Sequence, residues 1–438
     1  MTPRKIIIDT DPGCDDVLAM LLAFSVMPEE LQVLMLSVTY GNVDVENCLR
    51  NVVSLFHHIE KELEWREQTG RPLGFDTLRS RKPLVAAGPN QPLAEQMLMA
   101  DFFHGRDGLG DIDVSHPHLA PTDSWDRLLK HAEQSSDTAI VAQLRKFSPL
   151  FTPSHVPAHE EILRLLRENE PNTITIVAIG PLTNLAIAAA ADPETFLRVQ
   201  EVVVMGGAVN EPGNITPKAE FNTFADSIAA ARLYALSSPN PSTTMPPLPP
   251  GSSHTSELRP YPPSLSKRLR VTLFPLDITN YHLVTRRQFQ DVADPLKAQH
   301  SPLAHWVEAW LESTFRKIES LHPDTTGDTV GLQLHDPLTI WYCMTADDPK
   351  WQLIHNEDLR IETTGQWTRG MCVTDGRSRK KRSDDDTSEQ PGDHGLWLRG
   401  GAGNRLSRCL DSPGRHLFGP LMLQRIFNLQ DKNAKTFV

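Results

Sequence analysis

One segment of this chain predicts its architecture better than any other: Ile6-Ile7-Ile8-Asp9-Thr10-Asp11-Pro12-Gly13-Cys14-Asp15-Asp16. The apolar run at its start is short, β-branched and soon followed by Pro-Gly, which is typical of a buried strand that ends in a tight turn. The apolar segment Val17–Leu22 follows directly and predicts a helix. We therefore expect a strand, a turn and a helix, with Asp15 and Asp16 at the start of the helix.

Four carboxylates, those of Asp9, Asp11, Asp15 and Asp16, lie within eight residues of this segment. In a partly dry site such charges repel each other by several kcal/mol. A helix N-terminus offsets only about 0.3–1 kcal/mol per charge. A hard cation with carboxylate oxygens as ligands would balance the remaining charge, so the cluster predicts a metal site. The alternative interpretation is that Asp15 or Asp16 caps the helix and the other carboxylates are solvated.

Short apolar runs alternate with helix-like segments along much of the chain. The predicted strands are Ile6–Ile8, Val33–Val38, Leu84–Ala86, Ile174–Ile179, Val202–Met205 and Val271–Leu276. The predicted helices include Ala158–Glu168, Thr183–Ala190 and Asp226–Ala235. Alternation of this kind predicts an α/β fold with a doubly wound, mostly parallel sheet and helices on both faces.

Three segments, 111–157, 237–267 and 376–395, interrupt this alternation. The first is rich in His, Pro and Ser without a clear strand, and the second contains proline clusters that form neither a strand ladder nor a long helix. The third carries the basic run Arg377–Arg382 beside the acidic run Asp384–Asp386, which indicates a solvated disordered loop or, alternatively, a nuclear-import signal. Because strand-like segments resume after each, we interpret 1–438 as a single domain with looped insertions.

The composition of the whole chain limits which binding partners and which cellular compartment are expected. A formal net charge of −12 argues against nucleic acid or an anionic membrane as a partner. The 5 cysteines are odd in number and form no CxxC pair, so neither a disulfide framework nor a zinc cage is expected. No apolar run reaches about 18 residues, and the start of the chain lacks a signal-peptide pattern. These features predict a soluble cytoplasmic protein that acts on a small molecule, with a nuclear location as the alternative.

Two further clusters carry polar groups that suit chemistry on a sugar. Asn214, Glu220 and Asn222 offer mixed hydrogen-bond donors and acceptors, which suit hydroxyl groups. The alternative for these residues is ordinary turn chemistry. His335 and Asp336 precede an apolar helix, where they supply either a proton donor and a metal carboxylate or a surface imidazole and a helix cap.

A glycine-rich loop and a strand end complete the predicted site. The loop 104–110 presents His104 as a titratable tip, so we expect it to act as a flexible lid. The main-chain carbonyl of Ile179 lies at the end of a predicted strand and is free to face a cation. No segment matches a phosphate-binding P-loop, a GxSxG nucleophile elbow or an HExxH zinc helix.

Taken together, these motifs resemble the inosine-uridine-preferring nucleoside hydrolase family, in a fungal-type form with insertions. The resemblance is carried by Asp9–Asp16, Thr39–Asn42, His104–Gly110, Ala178–Asn184, Val204–Gly207, Gly213–Asn222 and His335–Leu338, together with Thr368–Met371 late in the chain. The matches follow the order of the family and span nearly the whole chain outside the three insertions. The resemblance implies the nucleoside hydrolase fold and hydrolysis of the N-glycosidic bond of ribonucleosides to ribose and free base.

The resemblance also implies a cofactor and a role for each matching residue. Calcium (Ca2+) would be held by Asp11, Asp16, the main-chain carbonyl of Ile179, and Asp336. The ribose would be bound by Asp15, Asn42, Asn214, Glu220, Asn222 and Asp336, with Met205 packing beside it. Asp11 would take a proton from a calcium-bound water, and surrounding carboxylates would stabilise the cation-like ribosyl group. His335 would donate a proton to the leaving base, with His104 as the next candidate, and a homodimer or homotetramer is expected.

One difference from the family concerns recognition of the nucleobase. Family members commonly offer tyrosines from the helix before the His-Asp pair, whereas Leu311–Gln333 contains none. Base preference therefore stays open between purine, pyrimidine and nicotinamide ribosides. A haloacid-dehalogenase-type phosphatase is an alternative with DxD after its first strand, but Gly13 stands where that chemistry needs Thr or Val. A nucleoside-binding protein without catalysis would lack one of the carboxylates or His335, and all of them are present.

Overall fold

A nine-stranded sheet forms the centre of the molecule. The computed structural model describes residues 3–120, 150–247, 258–262, 264–386 and 388–429. Its strands, in chain order, are β1 (Arg4–Thr10), β2 (Leu31–Val38), β3 (Leu84–Ala87), β4 (Thr152–Pro153), β5 (Ile174–Ala178), β6 (Glu201–Met205), β7 (Val271–Phe274), β8 (Leu283–Thr285), β9 (Gly331–Gln333), β10 (Gln352–Glu357), β11 (Leu359–Ile361), β12 (Cys372–Thr374) and β13 (Leu406–Asp411). The order of the large sheet is β10-β13-β7-β6-β5-β1-β2-β3-β4, while β11–β12 and β8–β9 form two small antiparallel sheets.

The order of the strands creates a crevice beside β1. The chain first runs outward from β1 through β2, β3 and β4, and then returns to place β5, β6 and β7 on the other side of β1. All neighbours in this sheet are parallel except β10 and β13. In sheets of this kind, ligands bind at the carboxyl ends of the strands where the direction of winding reverses. That point lies between the ends of β1 and β5, which Asp11 and Ile179 follow.

The helices cover both faces of the sheet. In chain order they are α1 (Cys14–Ser25), α2 (Val45–Gln68), α3 (Asp76–Ser80), α4 (Asp101–His104), α5 (Ile112–Ser115), α6 (Ala158–Glu168), α7 (Thr183–Ala191), α8 (Pro193–Phe196), α9 (Phe221–Ala225), α10 (Ser227–Ala235), α11 (Leu276–Thr279), α12 (Arg286–Lys297), α13 (Pro302–Leu321), α14 (His335–Thr345) and α15 (Arg415–Ile426). Short 3-10 helices lie at Pro117–Leu119, Pro241–Thr243 and Gly327–Thr329.

Strand β1 shows how one short apolar run supports two cores. Ile6 and Ile8 pack into one hydrophobic cluster together with α1, α2 and α13, whereas Ile7 packs into a second cluster with α6, α7 and α10. All three side chains are buried. Because successive side chains of a strand point to opposite faces, an uninterrupted β-branched run is what a strand between two helical layers requires.

The predicted fold class is therefore confirmed. The six predicted strands correspond to β1, β2, β3, β5, β6 and β7, and the three predicted helices correspond to α6, α7 and α10. No helix within the described ranges is both long enough and apolar enough to cross a membrane.

The first two predicted insertions contain residues that belong to the folded core. The prediction that 111–157 lacks a strand is wrong at its end, because β4 pairs with β3 there. In 237–267, Leu258 and Tyr261 are buried in the second cluster, and the guanidinium of Arg232 lies 5.3 Å from the Tyr261 ring centroid. Residues 121–149, 248–257 and 263 lie outside the described residues. The division of the chain into one domain with three insertions remains a prediction.

The charged runs of the third predicted insertion form ion pairs with each other and with the domain. Lys381 pairs with Asp358, Arg382 with Asp386, and Asp384 with Arg405. Arg377 also pairs with Asp375, so carboxylates bind three side chains of the basic run and the run is not simply solvated. Residue 387 lies outside the described residues.

The segment Leu311–Gln333 before His335 is not one helix, in contrast to the helix that family members have there. Helix α13 ends at Leu321, and strand β9 (Gly331–Gln333) leads into α14 by pairing with β8. The residues that approach the start of α14 are consequently those of a loop and an edge strand.

Candidate active site and metal centre

A cavity of about 510 Å3 opens at the carboxyl ends of the central strands. The predicted site residues that line it are Asp15, Asn42, His104, Ile179, Met205, Asn214, Glu220, Asn222, His335 and Asp336. Asp11 and Asp16 do not line it, but both accept hydrogen bonds from Asn42 in its wall. The structure thus brings together residues that are more than three hundred positions apart in the sequence.

Three carboxylates converge beside this cavity. One oxygen from each of Asp15, Asp16 and Asp336 lies within 4.8 Å of the others. Asp15 and Asp16 stand in the first turn of α1 and Asp336 in the first turn of α14, and these two helices pack against each other. The positive ends of both helix dipoles therefore face the same three negative groups.

Burial strongly disfavours the charged state of these carboxylates. Burial, together with the negative charges of neighbouring aspartates, raises the pKa of Asp15 to about 7 and that of Asp336 well above its ordinary value. In the described part of the chain, no lysine or arginine forms an ion pair with Asp11, Asp15, Asp16 or Asp336. Helix dipoles and hydrogen bonds alone therefore leave negative charge that a cation would balance.

Asp16 organises the turn that follows β1. Its Oδ1 accepts hydrogen bonds from the Thr10 hydroxyl at 2.6 Å and the Asp11 N–H at 3.3 Å. Its Oδ2 accepts from the Gly13 N–H at 3.0 Å and the Asn42 amide at 2.9 Å. The capping alternative considered for Asp16 is thus part of what it does, because the same carboxylate also belongs to the acidic group.

Asp11 is anchored through one oxygen and unpartnered at the other. Its Oδ2 accepts the Asn42 N–H at 2.8 Å, whereas the buried Oδ1 has no hydrogen-bond partner. Two glycines make room for this carboxylate: a Cβ on Gly180 would lie 2.4 Å from Oδ1, and one on Gly41 would lie 2.0 Å from Oδ2. A buried carboxylate oxygen without a donor is costly unless something outside the chain satisfies it.

The donor set fits a hard cation. It consists of carboxylate oxygens together with the main-chain carbonyl of Ile179, which borders the cavity and accepts a 3.2 Å hydrogen bond from Asn222. Oxygen donors without cysteine or histidine suit calcium or magnesium better than zinc. The acidic cluster can therefore hold a metal ion. The three carboxylates that lie closest together include that of Asp15, which the sequence analysis assigned to ribose binding.

A second wall of the cavity comes from the end of β6 and from α9. Glu220 caps α9 by accepting from the backbone of Asn222 and Thr223, and it also accepts from the Gly207 N–H at 2.8 Å. The Asn214 side chain accepts from the Phe221 N–H at 2.9 Å. Glu220 and Asn214 therefore form the capping and turn hydrogen bonds that the alternative interpretation predicted. They also line the cavity.

His335 lines the cavity at the start of α14. Its Nδ1 lies 2.7 Å from the hydroxyl of Thr279. Burial lowers the pKa of His335 to about 4, so the imidazole is neutral at pH 7 in the metal-free protein. The neutral ring carries one proton, and its tautomer decides whether Nδ1 accepts from the Thr279 hydroxyl or donates to it.

The prediction that His104 forms a titratable tip of the loop is wrong. The ring is buried, and its Nδ1 accepts the backbone N–H of Cys14 at 3.3 Å. Burial lowers its pKa to about 3. The loop is held by Asp107, whose carboxylate accepts backbone N–H groups from Leu109, Asp111 and Asp113.

Sequence reasoning missed the apolar side of the cavity. Phe102, Phe221 and Leu321 line it together with Gln333. Phe102 is two residues before His104 and Gln333 two residues before His335, so proximity to the motifs was the available signal. Sequence reasoning also missed the support beneath Asp9, whose Oδ1 accepts from Ser37 at 2.5 Å and Asn184 at 2.8 Å.

The sequence of the whole chain agrees with this geometry. A family profile described as inosine-uridine preferring nucleoside hydrolase matches residues 6–390. The chain belongs to this family. The predicted reaction class, hydrolysis of the N-glycosidic bond of ribonucleosides, is confirmed by this membership, which does not support the phosphatase alternative.

Two curated relatives cover most of the chain. A Salmonella paratyphi C protein, pyrimidine-specific ribonucleoside hydrolase RihA, is 27% identical over 374 residues, which are 84% of this chain and 88% of that protein. An uncharacterized protein of Schizosaccharomyces pombe is 29% identical over 372 residues, covering 85% and 89% of the two chains.

Solved structures of similar fold come from a plant and a bacterium. A plant nucleoside hydrolase, PpNRh1, has a TM-score of 0.63 at 23% identity and covers 97% of this chain and 99% of its own. A purine-preferring ribonucleoside hydrolase from Gardnerella vaginalis has a TM-score of 0.62 at 19% identity, with 97% and 98% covered. At these identities the likeness concerns the fold, and it confirms the predicted nucleoside hydrolase fold.

Proposed function

We propose that the cavity at the N-termini of α1 and α14 is the active site in which ribonucleosides are hydrolysed to ribose and free base, with calcium as the cofactor. The observation that carries this proposal is the buried group of Asp15, Asp16 and Asp336 beside the unpartnered Oδ1 of Asp11. It supplies a cation site and a proton acceptor at one end of a cavity large enough for a small ligand.

Asp11, Asp16, Asp336 and the carbonyl of Ile179 would hold the calcium ion, with Asp15 as a neighbouring carboxylate. Calcium prefers oxygen donors. When bound, it offsets the repulsion among these carboxylates and lowers the pKa of an adjacent water.

Asp11 is proposed as the general base. Its Oδ2 is fixed by the Asn42 N–H, so the orientation of the carboxylate is set before substrate arrives. Its Oδ1 is free to accept the proton of the attacking water. The oxygen proposed to accept the proton is thus the one to which no described protein group donates a hydrogen bond.

The ribose is proposed to lie against the two walls that carry polar side chains. The lining residues Asp15, Asn42 and Asp336 belong to or adjoin the acidic cluster, whereas Asn214, Glu220 and Asn222 lie at α9, and the Met205 sulfur is 3.5 Å from the Asn222 amide nitrogen. Carboxylates accept hydrogen bonds from sugar hydroxyls and also favour the positive charge that develops on the ribosyl group as the glycosidic bond breaks.

His335 is proposed to donate a proton to the departing base. In the tautomer that serves this role, the Thr279 hydroxyl donates to Nδ1 and the ring proton resides on Nε2. His104 is the alternative donor, because its Nδ1 accepts from Cys14 and its Nε2 therefore carries the proton. Both residues line the cavity.

Release of base from uridine, inosine, cytidine, adenosine and nicotinamide riboside tests this proposal, with calcium present and after chelation. We expect ribose and base in equal amounts from at least one substrate, and loss of activity on chelation. Absence of hydrolysis across the panel would contradict it. The same panel measures base preference, for which relatives named pyrimidine-specific and purine-preferring offer both precedents. The homodimer or homotetramer and the cytoplasmic location remain predictions.

A further inference from the structure

The late segment Thr368–Met371 packs directly on α9 (Phe221–Ala225). The guanidinium of Arg369 lies 3.7 Å from the centroid of the Phe224 ring. Its Nη1 donates a 2.8 Å hydrogen bond to the main-chain carbonyl of Phe224. The same nitrogen lies 3.6 Å from a carboxylate oxygen of Glu95. One side chain therefore holds both the ring and the backbone at the end of α9.

The residue after Arg369 has to be small for this approach. Gly370 has a φ of +80°, and a Cβ there would lie 3.0 Å from the Cα of Phe224 and 3.0 Å from the Cβ of Ala219. Its N–H donates to the carbonyl of Glu362. The turn that carries Arg369 is thus tied to β11 and β12 and pressed against α9.

Glu95 extends this contact to the next helix. Its Oε1 accepts from the Ser227 hydroxyl at 2.5 Å and from the Ile228 N–H at 3.3 Å, at the start of α10. The ion pair of Arg369 and Glu95 therefore bridges the end of α9 and the beginning of α10. A cationic side chain at a helix C-terminus also interacts favourably with the last carbonyls.

The opposite end of α9 faces the cavity. Glu220 caps its first turn, and the Asn222 amide donates to the carbonyl of Ile179 at 3.2 Å and that of Met205 at 3.4 Å. A helix of five residues does not hold its conformation alone. Its orientation must come from contacts at its two ends.

We infer that Arg369 is a positioning residue for substrate binding: it fixes α9 from outside, so that Glu220 and Asn222 meet the ribose in one geometry. This inference rests on the proposed function, because it assigns these two side chains to the sugar. Arg369 itself does not line the cavity. Its contribution passes through the backbone of Phe224, two residues after Asn222.

The test compares Arg369→Lys with a matched control, Arg360→Lys. Arg360 also stacks on an aromatic ring, 3.7 Å from the Trp397 centroid, and pairs with Asp358, but neither partner belongs to α9. Lysine keeps the charge and loses the planar stacking and the forked donors. We expect Arg369→Lys to raise KM roughly 10-fold with kcat changed by less than about threefold, and to weaken ribose binding in thermal-shift titrations, because displaced ligand groups lose binding energy. Arg360→Lys should leave both unchanged.

A double-mutant cycle with Asn222→Ala separates positioning from a general loss of structure. If Arg369 acts through Asn222, the double variant should lose about as much kcat/KM as the more impaired single variant, rather than the product of both losses. Phe224→Leu, which removes the ring and keeps the carbonyl, covers the case in which Arg369→Lys folds poorly. Multiplicative losses, or equal effects in the Arg360 control, would overturn the inference while leaving nucleoside hydrolysis established. An inactive wild-type enzyme would instead contradict the proposed function.

Discussion

At the scale of single residues, Asp11 is where the proposed chemistry concentrates. Asp11→Asn keeps the shape of the side chain and an oxygen that can accept from Asn42, so the fold should be retained. We expect kcat to fall by at least about 100-fold, because a carboxamide does not accept the proton of the attacking water. Steady-state kinetics and circular dichroism check both parts. Asp44→Asn, which preserves the capping of α2, serves as the control with unchanged activity. A loss of less than tenfold for Asp11→Asn would remove Asp11 from the role of general base.

His335 offers a test that separates proton donation from support of its neighbour Asp336. His335→Ala should impair inosine and uridine, which need a protonated leaving base. It should spare p-nitrophenyl riboside, whose phenolate leaves unaided. General acid catalysis is typically worth about 10²–10⁴-fold, so the losses on the two substrate types should differ by that range. Equal losses on both would indicate that His335 acts through Asp336, and His104→Ala would then be measured in the same way.

Spacing predicted the motif residues one by one, whereas their grouping in one site was predicted only through the family resemblance. Spacing places Asp15 and Asp16 at a helix start, and it says nothing of Asp336, more than three hundred positions later. Only the packing of α1 against α14 brings the three carboxylates within 4.8 Å. His104 shows the opposite error: a glycine-rich loop predicted a titratable tip, whereas the ring is buried and accepts a hydrogen bond from the Cys14 N–H.

At the scale of elements, the contact between α2 and α13 contains a titratable group. His58 of α2 stacks on Trp306 of α13 with ring centroids 4.7 Å apart, and its Nε2 lies 2.9 Å from the carbonyl of Leu119. Burial lowers the pKa of His58 to about 3. The unfolded chain has a value of about 6.5, so between these pH values the unfolded state binds a proton that the folded state does not.

The free energy of unfolding should therefore fall as the pH is lowered from about 6.5 toward 3. The contribution of His58 amounts to about 2 kcal/mol between pH 7 and pH 5, since each unit below the unfolded pKa is worth about 1.4 kcal/mol. Urea unfolding at the two pH values measures it. His58→Phe keeps an aromatic ring against Trp306 and removes the titrating group. Between pH 7 and pH 5, its free energy of unfolding should therefore change by about 2 kcal/mol less than that of the wild type. The same pH dependence in both proteins would show that His58 is not the group responsible.

Strands were predicted more reliably than the segments between them. An apolar β-branched run can only be satisfied between two helical layers, so β1, β2, β5 and β6 follow from composition. The two-residue β4 and the edge strand β9 carry no such run: both join sheets through backbone pairing, and β9 buries only Leu332. Tyr261 was assigned to a loop because prolines surround it, yet its ring packs beside Arg232.

At the scale of the whole molecule, the acidic cluster lies where both halves of the sheet meet. Asp11 and Asp16 follow β1, Ile179 follows β5, and Asp336 begins a helix from the last third of the chain. Calcium bound at this point would therefore link segments distant in sequence, and it would bind the native state far better than the unfolded chain. A ligand with that preference stabilises the native state by mass action, by about 2.7 kcal/mol at a concentration 100 times its Kd.

We accordingly expect chelation to lower the melting temperature of the protein and added calcium to restore it. Asp336→Asn removes one carboxylate of the cluster and should largely abolish the calcium-dependent shift, even though burying one charge fewer raises the stability of the metal-free protein. Elemental analysis of purified active enzyme, with scanning calorimetry across calcium concentrations, measures both quantities. Stoichiometric zinc in the active enzyme, or a calcium shift that persists in Asp336→Asn, would show that these carboxylates serve another purpose. The variant is informative even without activity, because the melting temperature reports calcium binding directly.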